Sequence, residues 1–260
     1  MAELNGEPAQ IEDLRALAMT NYGHFTSMLV EGGRVRGLEL HLERLVSDCR
    51  TVFGTGLDVE RVKDFARRAV PDDGPVVVRV TVFDPGLGLG NAGAPAHPQV
   101  LVTTRAAAGT AFAPLRVRCA AYVRDLPAVK SVGLFGAIRH RREAQLAGFD
   151  DALFVDGRDG REAVSEGGTW NVGFVQDGQV VWPDAECLPG TTMRLLQQVH
   201  PSVRGAVRKA DLGSFEAAFA TNAALGVRAI ARIDDTEFPG HHHVIEELRR
   251  AYARIQGDEL

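Results

Sequence analysis

Lysine is nearly absent from this chain. Of its 29 basic residues only Lys63, Lys130 and Lys209 are lysines. Arginine serves almost everywhere a cation is needed, so each retained lysine raises the question of what arginine could not do there. Cysteine is scarce as well. Cys49, Cys119 and Cys187 are odd in number and far apart, which argues against a disulfide scaffold and for a reducing compartment. No apolar run approaches the length of a membrane span. The first residues, Met-Ala-Glu-Leu-Asn-Gly-Glu-Pro, are acidic rather than basic-then-apolar and do not read as a signal peptide. The expectation is therefore a cytoplasmic protein without a membrane partner. A concentrated basic face is also missing, and the net charge is −5. Nucleic acid is thus not an expected partner, because neutralising phosphates needs clustered cations. The run Arg139-His140-Arg141-Arg142 sits among acidic neighbours and reads as a solvated helix face.

What is present is ordinary globular material. The chain has 260 residues with 45% apolar side chains, enough for one large domain or two compact ones with a normal core. Residues 24–30 read as a strand, turned by Glu31-Gly32-Gly33 into a second around 34–36. Leu38, Leu42, Leu45, Val46 and Cys49 recur at helical spacing, predicting a helix over 38–53. A second helix over 59–70 follows Asp58, a candidate N-cap. Strands are expected at 76–83, 100–104 and 115–122, with a Gly/Pro-rich loop at 85–98. After Leu126-Pro127 come a helix near 134–147 and strands at 152–155, 172–175 and 179–181. A helix then begins after Leu188-Pro189-Gly190, followed by strands at 215–221 and 227–233 and a last helix from about His243. The pattern predicts an α/β protein of two lobes, residues 1–115 and 116–260, meeting near 107–126. Ligand sites favour such junctions.

Several motifs carry chemistry, each with a plainer alternative. Gly88-Leu-Gly90-Asn-Ala-Gly93 spells a dinucleotide fingerprint after a strand, but Ala94-Pro95-Ala96-His97-Pro98 cannot open a helix. Without the helix N-terminus there is no pyrophosphate cradle, so this is a surface loop. His241-His242-His243 suggests a metal, yet adjacent helical residues point in different directions and no companion ligands lie near. No metal site is expected. Lys130, in Leu126-Pro127-Ala128-Val129-Lys130-Ser131, lies in an apolar stretch. On the segment alone the simpler reading is a boundary lysine reaching for water. The alternative is a partly desolvated, nucleophilic amine, which arginine cannot supply. Glu166 precedes two glycines and could be a turn residue. Thr191 and Thr192 open a helix and offer N–H groups and hydroxyls, as an anion site or as a cap. Asn222, followed by Ala223, is a strand end or a further anion contact.

Taken in order, the motifs are G-x-F-T with H-L-x-R-L, then L-P-x-x-K, E-G-x-x-x-N, L-P-G-x-T and T-N-A. From about Gly23 to Tyr252 the chain resembles the fold-type IV pyridoxal 5′-phosphate (PLP) enzymes, the class IV aminotransferase family. That family includes branched-chain and D-amino acid aminotransferases, (R)-selective amine transaminases and 4-amino-4-deoxychorismate lyase. The resemblance implies PLP held between two lobes, with Lys130 of the C-terminal lobe as Schiff-base and proton-shuttling lysine. It implies Glu166 at the pyridine nitrogen and Arg44 at the phosphate, where a planar fork suits the ligand. It also implies Thr191 and Thr192 at the phosphate-binding helix start, and Asn222 and Ala223 at a phosphate or substrate-carboxylate contact. A homodimer acting on a small amino or keto acid follows from the same likeness. The first expected activity is amino transfer. The second is aminodeoxychorismate cleavage to pyruvate and 4-aminobenzoate, whose branch Phe25-Thr26-Ser27 and Thr221-Asn222-Ala223 resemble. A non-catalytic relative is the third, though it would be marked by loss of Lys130 or Glu166. Three departures bear on the reaction. Phe135 stands where many relatives have a tyrosine, Met193 and Arg194 replace the usual arginine placement, and Ala18-Met19-Thr20-Asn21-Tyr22 replaces the usual approach to the first strand.

Overall fold

The computed structural model describes residues 1–71, 74–109 and 112–260. Residues 110 and 111, within the expected junction at 107–126, lie outside the described residues. The chain divides into two compact units. The first holds residues 1–108, 129–133 and 256–260, and the second holds 109–128 and 134–255. Lys130, expected with the C-terminal lobe, thus packs with the first unit. Its neighbours' backbone bonds explain this, since Val132 N–H donates to Gly23 O and Phe25 N–H to Lys130 O.

In the first unit, strands His24–Glu31, Val76–Phe83 and Gln99–Ala106 run antiparallel at the centre of a seven-stranded sheet. Alternation decides its faces. Met28, Val30, Val78, Val80, Val82, Val100 and Val102 pack against Leu38, Leu42, Leu45 and Cys49 of helix Leu38–Phe53, and against Val62, Phe65 and Ala66 of helix Val59–Ala69. Asp58 caps the latter by accepting from Arg61 N–H, as its position predicts. Strand Asp258–Glu259 pairs with Arg34–Val35, and Leu260 is buried in the same core. The short strands at the start of the chain and helix Ile11–Thr20 were not expected. That helix has no buried residue, so it carries little of the patterning by which a helix is recognised.

In the second unit six strands form a closed sheet. Asn171–Gln176, Ala217–Asn222, Gly226–Ile233, Leu115–Ala121, Asp151–Asp156 and Ala163–Gly167 pair in that order. The last pairs back to the first through Glu166 and Asn171. Inward positions such as Val117, Leu153, Val164, Val172, Phe174, Ala218 and Ile230 fill the interior. The outer face carries helices Thr191–Val199 and His243–Arg254, with Met193, Leu196, Val244, Ile245 and Leu248 against Phe219 and Trp182. Helix Phe135–Leu146 covers Ala152 and Phe154 through Ala137 and Ala144. The glycine-rich loop is followed by a strand and not a helix, as its prolines demand. Asn91 pins it, accepting from Gly88 N–H and donating to Gly86 O. Among the described residues, no helix is long and apolar enough to cross a membrane, and no group of His, Cys, Asp or Glu could hold a metal.

His24 is fully buried in the first unit, and neither ring nitrogen has a hydrogen-bond partner among the described residues. Burial pushes its pKa from the ordinary 6.5 down to about 4. The unfolded chain therefore binds a proton there before the folded one does. The stability that neutral His24 contributes is complete above pH 6.5 and is lost as pH falls towards 4. The full effect is about 3 kcal/mol. A His24→Leu variant should gain on the parent in melting temperature as pH drops from 7 to 4.5 (pH values of the assay, roughly spanning the titration). A gap that stays constant across that range would remove His24 as the cause.

Candidate functional site

The candidate residues form two sets, each built within its own unit. In the first unit the chain at 129–133 runs as a short extension beside strand His24–Glu31, with an antiparallel bridge between His24 and Ser131. Lys130 is fixed through its backbone on both sides. Its carbonyl accepts from Phe25 N–H at 2.9 Å and its N–H donates to Asp48 Oδ2 at 3.0 Å. Asp48 is buried on helix Leu38–Phe53. The lysine backbone is thus immobilised while its side chain stays half-buried. Its Nζ lies 4.8 Å from the centre of the Phe25 ring.

Arg79 shares that ring. Its guanidinium carbon is 3.6 Å from the Phe25 centroid, and Nε donates to Thr81 Oγ1 at 3.2 Å. Burial holds its pKa below the ordinary arginine value. Two cations on one aromatic ring form a site for negative charge. Behind them, His41 Nδ1 lies 2.6 Å from Thr26 Oγ1. Burial first, then the charges of Arg44 and Lys130, hold the His41 pKa well below its usual value. His41 is therefore a neutral spacer, and Arg44 and Lys130 both lie within its electrostatic reach.

In the second unit a bulge aims the chemistry. Val164 and Gly167 are three residues apart but face Val155 and Leu153, which are two apart. The extra residue in strand Ala163–Gly167 reverses the alternation, and Glu166 turns from the interior to the outer face. There it lies in a row with Asn171 and Thr221, its cross-strand neighbours. All three are buried. Glu166 is no turn residue. Its Oε1 accepts from Arg124 Nε at 2.9 Å and Nη2 at 2.8 Å, and its Oε2 accepts from Leu188 N–H at 3.2 Å. Arg124 also donates to the carbonyls of Leu126 and Pro127, just upstream of Lys130 in the chain. A buried carboxylate held by a guanidinium fork and a backbone N–H is fixed in direction, which is what sharing a proton with a heterocyclic nitrogen requires.

Thr191 and Thr192 begin the helix Thr191–Val199, and Gly190 is its N-cap. No acidic residue lies in the first turn. Its free N–H groups and the helix dipole favour an anion. The hydroxyls of Thr191, Thr192 and Thr221 are buried without a partner among the described residues. Three orphaned donors are costly unless a ligand engages them. Within this unit the three hydroxyls and the braced carboxylate of Glu166 are a donor set of the kind that a phosphate and a protonated ring nitrogen would engage. Asn222 is occupied differently from Glu166: its Oδ1 accepts from Ala224 N–H and Leu225 N–H and shapes its own turn, leaving Ala223 half-buried within it. The neighbouring Cys187 is no nucleophile, because burial, then the Glu166 charge, push its thiol up to about 11.

The sequence reading did not find Arg79, Arg124 or Asp48, and it assigned no role to Asn171 or Thr221. Arg79 had a visible signal, being the one charge in a valine-rich strand, Val-Val-Val-Arg-Val-Thr-Val-Phe. Arg124 had none, since its partner is distant in sequence. Two of the departures have distinct surroundings. Phe135 starts its helix and is 79% exposed, and Met193 packs in the apolar core. Of the three histidines, His242 and His243 have ring centroids 4.6 Å apart, while His241 is near Glu246 and His242 near Glu216. Arg141 is not merely solvated, because it forks onto buried Asp151.

Comparison with known proteins matches the family model Amino-transferase class IV over residues 23–233. A search of curated proteins found no significant match. Among solved structures, a fold IV transaminase, CpuTA1, from Curtobacterium pusillum is 25% identical, covering 96% of this chain and 92% of its own, with a TM-score of 0.78. A Legionella pneumophila protein, provisionally a 4-amino-4-deoxychorismate lyase, is 23% identical over 95% of each chain, with a TM-score of 0.79. The branched-chain amino acid aminotransferase from Escherichia coli is 18% identical over 97% of this chain and 92% of its own, with a TM-score of 0.82.

The brace on Glu166 makes a stability prediction. Arg124 and Glu166 have side-chain exposures of 16% and 8%. Arg124→Leu strands a buried carboxylate and should cost about 3 kcal/mol. Adding Glu166→Gln to that variant removes the stranded charge and should recover much of the loss. Denaturant titration of the two single variants and the double would measure the coupling, and purely additive losses would contradict it.

Proposed function

The chain belongs to the amino-transferase class IV family, and from that premise we propose that it is a PLP-dependent aminotransferase moving an amino group between an amino acid or amine and a keto acid. The observation that carries this reading is the Phe25 ring with Lys130 and Arg79 on it. An amine that can form a Schiff base with an aldehyde cofactor, and a desolvated guanidinium beside it that can meet a carboxylate, suit a substrate whose amino group would replace the lysine on that cofactor. PLP, when bound, supplies the electron sink for the carbanion left by loss of the substrate's α-proton. In this reading Lys130 would anchor the cofactor, release it to the substrate amine, and carry the α-proton on Nζ from the substrate carbon to the cofactor side, so that hydrolysis leaves a keto acid. Its fixed backbone confines that amine to a short arc. Glu166, paired with Arg124, would hold the proton on the ring nitrogen. Arg44 and the hydroxyls of Thr191 and Thr192 hold the phosphate, with the backbone at Asn222 and Ala223 as a further anion contact. Water is excluded on the Glu166 side by its own burial.

A lyase reading, release of pyruvate and 4-aminobenzoate from aminodeoxychorismate, is favoured by one feature. Position 135 is phenylalanine, so no phenol there can bond the cofactor's phenolic oxygen. Homodimeric assembly and a cytoplasmic setting complete the proposal. Helix Ile11–Thr20 buries none of its own residues, and Phe135 and Ile138 are exposed on another helix, which suits a partner surface.

Two measurements test the reading. Incubation with PLP followed by borohydride should leave a pyridoxyl adduct on the peptide containing Lys130. An adduct only on Lys63 or Lys209 would defeat the assignment. The same preparation assayed for keto-acid-dependent amine transfer and for pyruvate release from aminodeoxychorismate separates the two activities. Glu166→Gln should retain PLP yet slow α-proton removal by about 10²–10³, the usual scale for losing an electrostatic stabiliser. A Gln variant as fast as its parent would take Glu166 out of the chemistry.

A further inference from the structure

Asn171 is buried, sits at the point where the second unit's sheet closes, and has no part in the chemistry described above. Its side chain is fully committed to one place. Nδ2 donates to Leu188 O at 2.7 Å, and Oδ1 lies so close to Gly190 that a Cβ at that position would overlap it. Gly190 has φ −62° and ψ 140°, a conformation open to any residue. The glycine is thus demanded by Asn171 and not by the backbone. Between the two contacts lies Pro189, which has no N–H to bond. Leu188 is gripped from both ends, its N–H by Glu166 and its carbonyl by Asn171. The next residues are Thr191 and Thr192, whose buried hydroxyls lack partners among the described residues.

We propose that Asn171 is a positioning residue for the phosphate end of the cofactor, fixing the start of the helix Thr191–Val199 through Leu188 and Gly190. The proposal rests on the reading of that helix start as the phosphate site. Asn171 touches no reacting atom. It sets where two N–H groups and two hydroxyls point, by holding the turn before them against the row formed with Glu166 and Thr221. Because Glu166 holds the other side of the same residue, the group facing the ring nitrogen and the groups facing the phosphate share one anchor. Loosening the Asn171 side should cost phosphate recognition selectively, while Glu166 keeps Leu188 N–H and Arg124.

The test compares PLP with pyridoxal, which lacks the phosphate, by absorbance titration of the full-length protein, with far-UV circular dichroism to establish folding. Asn171→Ser should weaken PLP binding about tenfold, the scale of one lost hydrogen bond, and leave pyridoxal affinity within about twofold. Inorganic phosphate should compete with PLP less well in the variant than in the parent. Gly190→Ala reaches the same contact from the other side and should give the same selective loss, so the proposal remains testable if the serine variant does not fold. In Asn171→Ser/Gly190→Ala the shorter side chain makes room for the new Cβ, and the double variant should bind PLP no worse than the poorer single one. Equal losses for PLP and pyridoxal, no loss, or additive losses in the double variant would each overturn the role of Asn171. The underlying site reading fails separately: in that case the parent itself would bind PLP no better than pyridoxal, and phosphate would not compete.

Discussion

In the second unit the chemistry depends on how a six-stranded sheet closes. Closure is made by one residue pair, Glu166 with Asn171, and it is preceded by a single extra residue between Val164 and Gly167. Without that bulge, Glu166 would share the parity of Val164 and enter an interior packed with Val172, Phe174 and Leu153. A carboxylate there would have no partner and would be neutral or destabilising. With the bulge, the same strand still supplies Val164 to the interior, while Glu166 joins Asn171 and Thr221 outside. The bulge therefore resolves a conflict between packing and function within a few residues. Gly167 completes the arrangement, since any Cβ there would overlap the buried Trp170 ring, which donates to Asp151.

The first unit meets a different constraint. An amine that is to react must be near its target yet able to change partners and protonation state. Here the lysine backbone is what is fixed. Asp48 accepts from the Lys130 N–H, and Phe25 donates to its carbonyl, so placement is achieved at these points without using the ammonium. The nearby groups are arranged around the same ring: Phe25 offers a π face to Lys130 and to Arg79, and His41 stays neutral. The scarcity of lysine now has a physical meaning, because arginine could satisfy every electrostatic role on this surface but could not lose its proton.

Much of this was legible in the sequence, and the limits follow from physics. Long elements declared themselves, the strand His24–Glu31 among them and Leu38–Phe53 by its leucine spacing. Motifs whose logic is local were also readable: Asp58 before a helix, prolines after the glycine-rich loop, threonines at a helix start. What escaped was set by tertiary partners. Nothing in Arg124 announces Glu166, forty-two residues away. Helix Ile11–Thr20 has no buried stripe to betray it. The glycine at 190 looked like a helix-start residue, but its reason is the amide of Asn171. Glu166, flanked by glycines, suggested a turn, and only the strand register shows it to be a ladder residue at a closure point. Lys130 follows a proline near a lobe boundary, and its unit was decided by bonds to Gly23, Phe25 and Asp48 that no spacing encodes.

The two sets also differ in how they handle charge, and the difference suits their proposed tasks. Around Lys130 the first unit sets a second cation, Arg79, on the same Phe25 ring. Around Glu166 the carboxylate meets a fork of two N–H groups on one oxygen and a backbone N–H on the other. A substrate carboxylate comes and goes, so its site should retain a net positive potential. A group that must keep one protonation state throughout a reaction should not depend on the ligand for it, and a prepaired carboxylate needs no reorganisation when charge develops nearby. The helix start at Thr191 lies between these extremes: its dipole and hydroxyls are incomplete without an anion, but no lysine or arginine lies in its first turn beyond Arg194. A phosphate at a helix start is met by several N–H and hydroxyl donors whose directions must be fixed. On the proposed reading, the rigidity of the Leu188–Gly190 turn is what fixes the directions of the donors that this unit supplies.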